Sequence, residues 1–197
     1  SSRRWEEAAV RLEALIEASE ETPGVSEVML ATCLLNGEEG SDRDERAIEL
    51  MDAAVEANPK SRGMLRRVAV TVVGSKRISS RGSKYIDKLR EVDVDQAEFL
   101  DLGFQFQNRK GPEIPEGFIA RARSITDRLD VPLAWSLYLD ILSAAFQDAA
   151  RKGDFDAIQR LSEQMDKVSF DYTRSFPGIF GPLNRRVRTL ILIGDVE

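Results

Sequence analysis

The sequence predicts an all-helical fold, and three observations carry that reading. Ala47, Met51, Ala54 and Pro59 are spaced four, three and five residues apart. Residues three and four apart share one helix face, so two small side chains flank a large one there and a proline stops the helix. The spacing returns imperfectly elsewhere, as Trp5, Ala8, Leu12 and Leu15, and as Gly82, Ile86 and Leu89. No two stretches alternate as paired strands must. Val68–Val73 is β-branched, but an isolated strand has nothing to pair with.

The elements follow in order. Helices are expected at about 3–20, 25–36, 42–57 and 61–74, then 80–92, 94–108, 115–129, 133–151, 154–168 and 183–193. The second holds the apolar run Val28–Leu35. Ser41-Asp42 is expected to cap the third, whose Ile48, Met51, Ala54 and Val55 form a helical stripe, and Asn58-Pro59 ends it. Two breaker-rich stretches, Asn108–Gly117 and Tyr172–Pro182, are expected as loops, the second pinned by Phe176, Ile179 and Phe180. Phe99, Phe104 and Phe106 with Leu100 and Leu102, and Trp135 with Leu139 and Leu142, are expected to pack between helices.

Counting back from Ala47 in the same frame puts Leu34 at a large buried position, and a 34-residue unit then runs from Val28 to Ser61. Gly153-Asp154-Phe155, followed by Ala157 and Leu161, supplies a turn between two paired helices. In these residues the chain resembles the tetratricopeptide-like helical repeats, best over 28–61 and only weakly beyond 92. Leu35 stands where that family prefers glycine or alanine, and Glu38 where it prefers tyrosine, so altered crossing angles are expected. The resemblance implies a right-handed α-solenoid of about four to five antiparallel helix pairs, whose first helices line a concave groove that holds another chain. A single domain spanning 1–197 is expected, as a piece of a longer protein.

Composition narrows the function. The chain has no histidine, which removes Ser-His-Asp and Cys-His catalysis and histidine metal sites. Cys33 stands alone among apolar neighbours, so it reads as a small core residue. No Gly-rich phosphate loop is present, because Pro177–Gly181 lacks the following Lys-Ser/Thr. The expectation is a protein that is not itself an enzyme and carries no cofactor and no metal. No apolar run approaches the ~18 residues that a membrane span needs, so no membrane insertion is expected, and a soluble, cytoplasmic setting is favoured.

Charge is unevenly spread. Residues 1–59 hold five arginines against fifteen acids, a net of minus ten, whereas 60–90 hold ten basic residues against Asp87, a net of plus nine. A positive band between acidic flanks attracts and orients an anionic partner. The candidate partner-binding residues are Arg62, Arg66, Arg67, Lys76, Arg77, Arg81 and Lys84. Arg62, Arg66 and Lys84 are candidates to hold a carboxylate of an acidic peptide. The asparagines of the family's carboxylate clamp are not in phase, so that clamp is not carried over. A second positive stretch, Arg174, Arg185, Arg186 and Arg188, reads as the polar face of a helix.

The expected function is a scaffold or adaptor holding a protein or acidic peptide against the basic band at 60–90. Pairing of that band with the acidic N-terminal third of a second copy would make a homodimer. One alternative is a recruitment or regulatory domain of a larger enzyme. Another is an RNA-binding helical repeat, disfavoured by the acidic flanks and by Tyr85 being the one aromatic in the band.

Overall fold

The computed structural model describes residues 2–19, 22–115 and 117–178, with Gly181, Asn184, Arg186, Val187, Thr189 and Gly194 beyond them. Among the described residues the regular structure is helical throughout. The helices are α1 (Ser2–Glu17), α2 (Val25–Asn36), α3 (Ser41–Ala57), α4 (Arg62–Gly74), α5 (Gly82–Arg90), α6 (Val94–Gln107), α7 (Phe118–Arg128), α8 (Pro132–Lys152) and α9 (Phe155–Ser175). A short 3₁₀ turn, Ser79–Arg81, precedes α5. No helix of the described residues is long and apolar enough to cross a membrane. The chain divides into two compact units, 1–101 and 102–197, with α6 beginning in the first and ending in the second.

In the first unit, Ala47, Met51 and Ala54 are all 0% exposed, so the small-large-small face of α3 is the face that packs. Leu34 is buried on α2 in the frame expected for it, and Gly82, Ile86 and Leu89 are buried on α5. α2 packs against α1, α3 and α4, and α4 also packs against α3 and α5. Val68–Val73 lies inside α4, where Val68 and Val72 point inward.

The ends of these helices have local causes. Gly40, not Ser41 or Asp42, occupies the N-cap of α3; Ser41 opens the helix, and its hydroxyl donates to Asp42. Asp42 and Asp44 place negative charge in the first turn, where the helix dipole favours it. Asn58 closes the helix ahead of Pro59, and its Nδ2 donates to the carbonyls of Pro23 (2.8 Å) and Ala54 (2.9 Å). Ser61 caps α4 by accepting from the Met64 amide.

The α1 phase is shifted from the expected one. Ala9 is the buried small residue, Leu15 is exposed, and Trp5 is partly open to solvent.

In the second unit α8 packs against both α7 and α9. Pro132 opens α8, where its missing N–H costs nothing. The Gly153-Asp154-Phe155 turn joins α8 to α9. Gly153 takes the left-handed conformation that ends a helix (φ 69°), and the Asp154 carboxylate accepts from the Ala157 amide at 3.0 Å. Leu139, Ile141 and Leu142 form the interior with Met165 and Tyr172.

Two expectations are corrected here. α9 runs through Tyr172 to Ser175, so the loop begins at Phe176 and not at Tyr172. The chain before Pro177 has no breaker until the restriction that proline places on Phe176, and the Trp135 and Tyr172 rings, stacked 5.9 Å apart, hold the last turns in place. Phe99, Phe104 and Phe106 are half-buried, and the interior positions of α6 fall to Ala97, Leu100 and Leu102. Of the loop anchors, Phe176 meets Tyr172 edge-on, while Ile179 and Phe180 lie outside the described residues, as do Arg185, Arg188 and most of the helix expected at 183–193.

Candidate functional site

The seven candidate residues of the basic band run from Arg62, the first residue of α4, to Lys84 within α5. Its cations divide by what they meet. Arg62 pairs with Asp93 at 3.3 Å. Lys84 places its Nζ 2.8 Å from both oxygens of Asp52, and the Tyr85 hydroxyl donates to Asp52 at 2.9 Å. Burial, and then the adjoining Asp52, push the Tyr85 phenol above its ordinary range, so it stays a neutral donor.

Arg77 is the most enclosed of the seven. Its guanidinium pairs with Asp44 and donates to the carbonyls of Leu34 (3.2 Å), Leu35 (3.0 Å) and Gly40 (3.4 Å). The last carbonyls of a helix lack intrahelical partners and carry partial negative charge. Arg77 therefore caps α2 from across the unit.

Arg66, Arg67, Lys76 and Arg81 are exposed and have no hydrogen bond or ion pair among the described residues. Arg67 and Lys76 share a groove. One stretch of it, about 550 Å³, lies between the C-terminal ends of α2 and α4, lined by Thr32, Leu35, Asn36, Val70, Gly74 and Lys76 among others. A second stretch of about 280 Å³ adjoins it at Thr32 and Thr71 and is lined by Trp5, Met29, Cys33 and Arg67.

The Thr32 and Thr71 hydroxyls donate to Val28 and Arg67 carbonyls of their own helices, so those protons are spent. Trp5, Met29 and Val70 leave large apolar surface open along the groove. The Cys33 thiol beneath is buried, and burial raises its pKa, which keeps it protonated. Uncommitted cations thus border a groove that is apolar at Trp5, Met29 and Val70 and polar at Asn36, Glu39 and Ser75. Such a surface fits a chain segment that brings both apolar side chains and acids.

Charge counting missed the apolar stretch. A signal was present in α2, whose run from Val28 to Leu35 is too continuously apolar for one buried stripe and leaves Met29 outside. Among the described residues no three Cys, Asp or Glu side chains converge as a metal shell would require.

Comparison with protein-family models, with curated proteins and with solved structures returns no match.

Proposed function

We propose that this chain is a non-enzymatic scaffold that holds a segment of a partner protein along the α2–α4 groove. In this reading α2 with α3 and α4 with α5 are successive tetratricopeptide-like pairs, with the right-handed turn between pairs that the resemblance implies. The first helices of the pairs, α2 and α4, then line the binding surface. Support comes from the buried small-large-small face of α3 and from the direct packing of α2 on α4.

The observation that carries the reading is the open groove, apolar beside Arg67 and mixed beside Lys76, where among the described residues neither cation is paired with an acid. Apolar burial supplies affinity, and the free cations select an acidic segment and speed its approach. Arg66 adds positive charge one residue before Arg67. Arg62, Arg77 and Lys84 are already neutralised within the chain and contribute little.

The test is co-purification from source extract, followed by measured binding of the recovered partner. Reversing Arg66, Arg67 and Lys76 to glutamate is expected to weaken binding at least tenfold, and more steeply at low salt, where charges are least screened. Reversing Arg62 alone is expected to change it little. Unaltered binding by the triple variant would refute the reading.

A further inference from the structure

The second unit holds a separate cleft between α7 and α9, across α8. Its outer part, about 510 Å³, is bordered by Gly117, Ala120 and Ser124, and it adjoins an inner recess of about 180 Å³ at Arg123, Asp127 and Gln164. Tyr138 of α8, only 4% exposed, lines the recess. Its hydroxyl accepts from Gln164 Nε2 at 2.6 Å, which leaves the hydroxyl proton as a free donor.

The charged lining has an unusual pattern. Arg123 and Asp127 on α7, and Lys167 and Asp171 on α9, each follow one another by four residues. Among the described residues none of the four, of which Arg123, Asp127 and Lys167 are exposed, makes a hydrogen bond or an ion pair, although opposite charges border the same recess. A cation placed N-terminal to an acid at this spacing is the weaker orientation for closure within a helix. Consecutive packed helices with short connections run antiparallel, so α7 and α9, both packed on α8, point the same way. On each helix, then, the acid follows the cation in the same direction, about 6 Å further along (four residues at a 1.5 Å rise).

We infer that this recess binds a small zwitterion, with its carboxylate between Arg123 and Lys167 and accepting from the Tyr138 hydroxyl, and its ammonium between Asp127 and Asp171. The chemical class is an ω-amino acid or a dipeptide, in which the two charges stand far enough apart to reach both ends. A simple anion such as phosphate would gain the cations but meet two carboxylates, and the lining as a whole is neutral. The inference does not depend on the α2–α4 groove, since every residue in it belongs to the second unit.

Titration of the ¹⁵N-labelled full chain with glycylglycine and with γ-aminobutyrate tests it, with acetate and methylammonium as single-charge controls. Both zwitterions are expected to give saturable shifts confined to α7, α8 and α9, and the controls at most weak, non-saturating ones. Arg123→Gln and Asp127→Asn are each expected to weaken binding about tenfold, the scale of one hydrogen bond to a charged group. Tyr138→Phe keeps the buried ring and is expected to weaken it several-fold. No saturable shift with either zwitterion would overturn the assignment. So would acetate binding as tightly as γ-aminobutyrate, or unchanged affinity in both charge variants. Partner capture by the first unit is read separately, so failure of one proposal is distinguishable from failure of the other.

Discussion

Single side chains fasten the helix ends of the first unit, and they do so across long sequence separations. Glu6 on α1 accepts from Arg43 at 2.8 Å and from the Glu38 amide at 2.9 Å. The Arg43 hydrogen bond, and then the Glu38 amide, hold the Glu6 carboxyl below its ordinary range. A carboxyl with a lowered folded pKa stabilises the fold above its unfolded value, 4.5, and that contribution is lost as pH falls through the lower folded value. Glu6→Gln is therefore expected to reduce the urea midpoint near neutral pH, and the gap from the parent should close as the pH falls through the lowered folded value. A gap that stays constant with pH would show that charge is not the cause. Arg77 makes a second such tie. Arg77→Lys keeps the charge but loses the planar fork that reaches three carbonyls and Asp44. It should cost about 2 kcal/mol in equilibrium unfolding, the scale of charged hydrogen bonds in a half-enclosed site. Its place in the basic band gave no hint of this, since the groups it serves lie some forty residues earlier.

At the scale of elements, helix boundaries were legible wherever a local group sets them. Asn58-Pro59 ends α3, Pro132 opens α8, and Gly153-Asp154 separates α8 from α9, each as the residues alone imply. Reading was poorer where tertiary contact decides. The local pattern, dominated by Pro177 and Gly178, puts the end of α9 too early, because the stack of Trp135 on Tyr172 acts from another helix. The phase of α1 differs from its sequence pattern for a related reason. Most of its apolar residues form one broad face from Leu15 to Ala9, and packing against α2 buries the Ala9 edge of that face and leaves the Leu15 edge open. The α8–α9 turn offers a quantitative check. Gly153 has φ 69°, a region that costs an L-residue roughly 1 kcal/mol or more, and Asp154 supplies the cap of α9. Gly153→Ala and Asp154→Ala should each destabilise by about 1 kcal/mol in thermal or chemical unfolding. Values near zero for both would mean that the turn is held by neighbouring contacts and not by its own chemistry.

Across the whole molecule, the charge blocks seen in the sequence answer one another in part. Asp44 and Asp52, from the acidic first third, meet Arg77 and Lys84 within the same chain, so segment totals overstated the charge left for a partner. Of the seven candidates, Arg66, Arg67, Lys76 and Arg81 stay unpaired among the described residues, and no counting rule could have separated these from the paired ones. The division into units 1–101 and 102–197 was equally hidden, because α6 crosses the boundary as an unbroken helix with no linker composition to mark it. Each unit has its own fully buried residues, Met51, Val68 and Leu89 in the first, Leu142 and Met165 in the second. Contacts clustered in this way predict that damage to one interior is felt locally before it is felt globally. Met51→Ala removes a side chain that is 0% exposed, and should cost about 2–5 kcal/mol in the first unit, the range for truncating a buried methionine. Native-state hydrogen exchange reads where that loss falls. Amides of α2–α5 should lose protection by that amount, whereas those of α8 and α9 should keep most of theirs. An equal loss in both units would mean that the chain opens as one cooperative body, with α6 transmitting the defect across its whole length.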